Sequence, residues 1–181
     1  MRMRPCFVRK TKQFVSLLFI SCLAVMLVSC QAAQKMRVSP DEQNSILSAA
    51  EKPFIHMNEK RYRDVWEGIS RKSKDAIVRD VLKACNVFHV TCDSATKLHE
   101  DFANAGPSAI VYWENYLAAF DPNSLIKESR WVMGKVGDEE ADIVVRFRGS
   151  NGDAVLKVVK ENGVWKMGLE ESFGVRKWMP R

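Results

Sequence analysis

The run from Asp142 to Glu170 decides the fold: Asp142-Ile143-Val144-Val145-Arg146-Phe147-Arg148, Ala154-Val155-Leu156-Lys157-Val158-Val159-Lys160 and Val164-Trp165-Lys166-Met167-Gly168-Leu169-Glu170. In each piece every second residue is apolar, the period of a strand with one buried face. The joins Ser150-Asn151-Gly152-Asp153 and Glu161-Asn162-Gly163 carry Asn-Gly pairs, which suit the left-handed positions of a tight hairpin. A fourth run, Ser129 to Val136, precedes them across Gly137-Asp138-Glu139. Four strands in antiparallel succession are expected. Ile143, Val145, Phe147, Leu156, Val158, Trp165, Met167 and Leu169 share one face, and Arg146, Arg148, Lys157 and Lys166 share the other.

Upstream the period lengthens to that of helices. Ser39-Pro40-Asp41-Glu42 offers an N-cap, a first-turn proline and first-turn acids, with Glu42 placed to close a capping box. Ile46, Leu47, Ala50, Phe54 and Met57 follow at helical spacing, and Pro53 is expected to kink or restart that helix. Tyr62, Val65, Trp66 and Ile69 mark a second helix. Ser73 can cap a third carrying Ile77, Val78, Val81 and Leu82. Asn86 to Thr91 is β-branched and settles on neither period; Asp93 or Ser94 can open the next helix, through Phe102 to Gly106. Pro107 opens a last one bearing Ile110, Trp113, Leu117 and Phe120, which Asp121-Pro122-Asn123 should stop. Helices first and a meander last predict an α+β domain with helices packed on a curved antiparallel sheet of about four strands.

The 181 residues allow one ordinary domain, so the start of the chain calls for a separate explanation. Arg2, Arg4, Arg9, Lys10 and Lys12 precede an uncharged run from Phe14 to Val28, the charged and apolar regions of an export signal. That run is shorter than the ~20 apolar residues of a membrane span, although Cys30 to Ala33 could extend it marginally. Removing those five cations leaves 23 basic against 22 acidic residues, so five of the six formal positive charges belong to the leader. The rest lacks the concentrated positive charge of a nucleic-acid binder, and no nucleic-acid partner is expected.

Leu27-Val28-Ser29-Cys30 resembles, at all four positions, the lipobox of bacterial lipoproteins. The resemblance implies cleavage after Ser29, a diacylglycerol thioether on Cys30, an acylated new amino terminus and anchorage to a membrane. Gln31 is not the aspartate that retains lipoproteins in the inner membrane of enteric-type bacteria, which implies the outer membrane, facing the periplasm. The division is then residues 1–29 as signal peptide, 30–38 as a short flexible lipidated tether, and 39–181 as one domain. A plain secretory signal and an uncleaved anchor remain as alternatives.

Tyr62-Arg63-Asp64-Val65-Trp66 in an early helix and Glu161-Asn162-Gly163-Val164-Trp165-Lys166-Met167 at a turn into a Trp-bearing strand make the domain similar to the nuclear transport factor two-like, or SnoaL-like, cone family. That likeness spans roughly Ser39 to Phe173, and the helical stretch from Cys85 to Phe120 is longer than the plainest members need. It implies a cone that either binds an apolar ligand or runs isomerase- or hydrolase-like chemistry in its pocket. For the latter, Asp64, Tyr112 or Tyr116 are available and no motif selects among them.

Cys85 and Cys92 are the remaining thiols, and in an oxidising compartment a disulfide is one expectation, two inert buried thiols another. A redox or metal pair is the third; it lacks Cys-x-x-Cys spacing and would need His89 or His99. His56, His89 and His99 form no motif that places two on one helix face, and in His99-Glu100-Asp101 neighbouring side chains diverge. Trp66, Trp113, Tyr116, Trp131 and Trp165 either line a ligand cavity or fill the core. The basic set Arg146, Arg148, Lys157 and Lys166 is a solvated face or a surface for headgroups or an acidic partner, and Arg176-Lys177-Trp178-Met179-Pro180-Arg181 is a frayed end or a docking peptide. No phosphate loop or nucleophile elbow is present and no cofactor or metal is implied. The expected role is an envelope-anchored, non-enzymatic module for a partner protein or small apolar ligand, with a small pocket enzyme as the competing class.

Overall fold

Ser39 begins the first helix by holding an extended backbone and accepting the Glu42 amide on its hydroxyl at 3.1 Å, and Pro40 follows at the first helical position. The computed structural model describes residues 38–149 and 152–174. The expected export signal, Cys30, the tether up to residue 37 and the terminal basic peptide lie outside those residues. Helix α1 spans Pro40–Asn58, α2 Tyr62–Gly68, α3 Arg71–Phe88, α4 Ala95–Ala103, α5 Pro107–Ala119 and α6 Pro122–Lys127. Strands β1 (Ser129–Val136), β2 (Glu140–Phe147), β3 (Asp153–Glu161) and β4 (Val164–Gly168) follow, and α7 (Leu169–Phe173) closes the described chain.

The strands form one antiparallel sheet in the order β1-β2-β3-β4. Asn162 and Gly163 at the β3–β4 turn both have positive φ, 50° and 78°, the backbone an Asn-Gly hairpin requires. Ile143 stands between Met133 and Leu156, and Val158 between Ala141 and Met167, so the register collects the apolar set on one face. Against that face pack Ile46, Ala50, Phe54 and Met57 of α1, all fully buried. Helices α2, α4 and α5 extend the same core through Val65, Trp66, Leu98, Phe102 and Trp113. The fold is therefore α+β, with helices laid on an open four-stranded sheet, as the change of period predicts.

Four local expectations need correction. Helix α1 runs unbroken through Pro53. The lost hydrogen bond and ring clash cost about 3 kcal/mol in an isolated helix; here the ring is buried against Gly68, where a Cβ would stand 3.1 Å from Pro53 Cγ. The cap of α3 is Ser70, not Ser73: Ile69 bridges Met167 in parallel, the Ser70 amide bonds Met167 O at 2.8 Å, and the chain turns into helix directly from that extended edge. Helix α3 also runs to Phe88, through residues whose composition favours strands, because His89 supplies a left-handed C-cap at φ 54°. Asp121-Pro122-Asn123 does end α5, as expected, and at once begins α6, with Asp121 accepting the Asn123 amide at 2.9 Å. Glu42 forgoes the capping box; its carboxylate takes Lys160 Nζ at 2.8 Å. No helix among the described residues is long and apolar enough to cross a membrane.

Candidate functional site

The aromatic residues of the helical layer, joined by Trp131, form one network, with Phe102 at its centre. Its ring lies 4.7 Å from Trp66, 5.5 Å from Tyr112 and 6.5 Å from Trp113, and Trp113 continues to Tyr116 at 5.7 Å. Tyr116 meets Phe120, Phe120 meets Phe54, and Phe54 meets the half-buried Trp131. Trp165 is buried on β4 with Lys160 Nζ 5.0 Å above its ring. Most pairs are tilted or edge to face, the arrangement ring quadrupoles favour in a packed core. Burial pushes the phenols of Tyr62, Tyr112 and Tyr116 above the ordinary tyrosine value, Tyr112 and Tyr116 far above it. Asp64, the other acid-base candidate, lies outside this network and pairs with Arg61 at 3.4 Å.

Cys85 and Cys92 are joined through their sulfurs with Cα atoms 6.0 Å apart, closing the end of α3 onto the approach to α4. Between them stands Asn86-Val87-Phe88-His89-Val90-Thr91, in which Val87 is 63%, Phe88 74% and Val90 57% exposed. The amides of His89 and Val90 are spent on Asn86 O and Cys85 O. The result is a short apolar tip whose backbone is partly satisfied from within. Its signal was in the sequence, three large apolar residues and no acid, lysine or arginine between two cysteines, and periodicity alone could not say whether they face in or out.

At the opposite end of α3 the fully buried hydroxyls of Ser70 and Ser73 lie 2.7 Å apart. Ser70 donates to Glu171 Oε1 at 2.9 Å, Ser73 donates to Oε2 at 3.0 Å, and the Ser73 oxygen receives the Glu170 amide at 3.0 Å. Gly168 permits this approach, since a Cβ there would stand 2.9 Å from Glu171 Oε2. The carboxylate bolts α7 to the start of α3. Both hydroxyls are committed to it, which leaves neither poised as a nucleophile.

The histidines do not converge. His99 Nε2 lies 3.3 Å from Asp75 on the surface and its ring 5.7 Å from Trp66. Asp101 is occupied elsewhere, accepting the Ala109 amide at 2.8 Å to cap α5 where Gly106 has no side chain to do so. No cluster of three or more metal-ligating side chains occurs among the described residues. The basic set on the outer sheet face is partly neutralised, since Arg146 Nε bonds Asp153 at 3.0 Å and Lys157 Nζ bonds Asp142 at 2.6 Å, while Lys166 Nζ donates to the backbone carbonyl of Glu67 at 2.6 Å.

An open groove of about 620 Å³ runs between α3 and α7, lined by Ala76, Arg79, Asp80, Leu82, Lys83 and Phe173 among others. Cations and acids alternate along it. None of Trp66, Trp113, Tyr116, Trp131 and Trp165 lines it. Comparison of the chain with protein-family models, with characterised proteins and with solved structures finds no match.

Proposed function

We propose that the chain is a cell-envelope lipoprotein, acylated at Cys30 and held at the outer membrane, whose domain serves as a binding module for a partner protein. The observation that carries the binding role is the disulfide-closed tip, where Val87, Phe88 and Val90 stand mostly exposed on a partly self-satisfied loop. Clustered exposed apolar side chains on a small domain mark contact surfaces, and a rigid loop loses little conformational entropy when it docks. The address rests on the lipobox and on Gln31 after Cys30. Against a pocket enzyme stands the placement of Tyr112 and Tyr116, which pack among other rings and do not line the groove between α3 and α7.

Two measurements test the proposal. Intact mass and membrane fractionation of the protein in a Gram-negative host should show an acylated species starting at Cys30, lost with Cys30→Ala; a soluble, unacylated wild type removes the address. A photo-cross-linking side chain at Phe88 should give one discrete protein adduct in cells, and the same group at Val155 on the outer sheet face should not. Identical patterns from both positions would remove the binding role of the tip.

A further inference from the structure

Helix α3 ends in a turn that its own sequence disfavours. The Val90 amide bonds Cys85 O at 3.0 Å and the His89 amide bonds Asn86 O at 3.4 Å, the paired bonds of a Schellman motif. Its left-handed position falls to His89, at φ 54° and ψ 35°, a backbone that a Cβ disfavours and that glycine takes freely. Asn86 to Thr91 are all exposed. No side-chain hydrogen bond or ion pair among the described residues ties that stretch to the domain, so the fastening beyond the helix end is the bond from Cys85 to Cys92. Both cysteines are partly exposed. The bond also joins two unlike helix ends. Cys85 lies in the last turn of α3, where the carbonyl end of the helix disfavours a thiolate, and Cys92 lies three residues before Ala95, at the amide end of α4, which favours one. Asp93, the acid next to Cys92, is paired with Lys97 at 3.6 Å. Attack at Cys85 Sγ with Cys92 leaving as the thiolate is therefore the easier direction.

From this arrangement we propose that Cys85 and Cys92 are a thiol–disulfide exchange site for a protein dithiol, and that reduction there dismantles the contact surface of Val87, Phe88 and Val90. The consequence for binding rests on the role proposed above for the tip. A thiolate of the dithiol bonds Cys85 Sγ, the bond between Cys85 and Cys92 breaks, and Cys92 leaves with the electron pair and takes a proton. The second thiol of the donor then displaces Cys85, which is protonated in turn. Two electrons and two protons pass to the cysteines, and the donor becomes a disulfide. Opening a ring of sequence separation 7 returns the freedom that closure had removed, on the order of fiftyfold in the opening of the turn. The left-handed turn at His89 is the part with least to hold it, and with that turn released the three apolar side chains no longer share one fixed arrangement that a partner can read.

The test uses the full chain, purified in its oxidised form from a Gram-negative host. Millimolar dithiothreitol without denaturant should reduce the bond while the amides of β2 and β3 stay protected from hydrogen exchange, and exchange at the Val90 amide should then quicken on the order of fiftyfold. In cells, the photo-cross-linking group at Phe88 should lose its adduct when Cys85→Ser and Cys92→Ser are combined. Adding His89→Gly, which takes the left-handed turn without a Cβ, should restore part of that adduct. A bond that opens only in denaturant, Val90 protection that survives reduction, or equal adducts with and without the bond overturns the proposal. If the oxidised protein gives no adduct while dithiothreitol still frees the Val90 amide, the binding role of the tip fails and the exchange site stands.

Discussion

Replacing Phe102 by alanine discriminates a filled aromatic core from a ligand cavity. The ring is fully buried and touches Trp66, Tyr112 and Trp113 at centroid distances of 4.7 to 6.5 Å. Truncating such a side chain costs about 3–5 kcal/mol, part lost transfer energy and part the cavity its neighbours fail to close. For a domain of roughly 140 residues beginning at Val38, an unfolding entropy near 2.1 cal/mol/K per residue converts that loss to about 10–17 °C in Tm. Circular dichroism melts and urea titrations of wild type and Phe102→Ala measure it. Because a cavity lined by rings stays dry and accepts small apolar molecules, benzene should raise the Tm of the variant and leave wild type unchanged. A loss below about 1 kcal/mol, or benzene stabilising wild type, would refute the reasoning, since either means that space already exists around Phe102.

Reduction, or the double change Cys85→Ala and Cys92→Ala, should lower stability by about 2.5 kcal/mol on loop-closure entropy; denaturant titration with and without reductant checks it, and no change would mean that the cross-link contributes nothing. Glu171→Ala should cost about 2–4 kcal/mol by stranding two buried hydroxyls, and a cycle with Ser70→Ala should show coupling of at least about 0.5 kcal/mol, additive losses counting against a shared bond. All three tyrosines have phenol pKa values raised by burial. A neutral form favoured in the fold stabilises fully below the unfolded value near 10, and that stability is lost as pH rises beyond it. Phenolate absorbance at 295 nm should therefore appear only with unfolding in the native protein and near pH 10 in denaturant. An independent titration of the folded form near pH 10 would contradict the buried network.

The sheet was legible because its evidence is local. Alternation from Asp142 to Glu170 names the buried face, and the Asn162-Gly163 turn fixes one register, so the set from Ile143 to Leu169 emerges correctly. Helix ends were less so, because tertiary bonds choose among adjacent caps: Ser70 prevails over Ser73 through the Met167 carbonyl, four residues before Glu171, the carboxylate that both serines share. Helix α7 was hidden for a related reason. Leu169 and Glu170 continue the strand alternation, and only the serine-bound Glu171 turns the chain back onto α3. The tip at Val87, Phe88 and Val90 looks in sequence like an interior segment, since nothing in a period reports that a disulfide lifts it from the core.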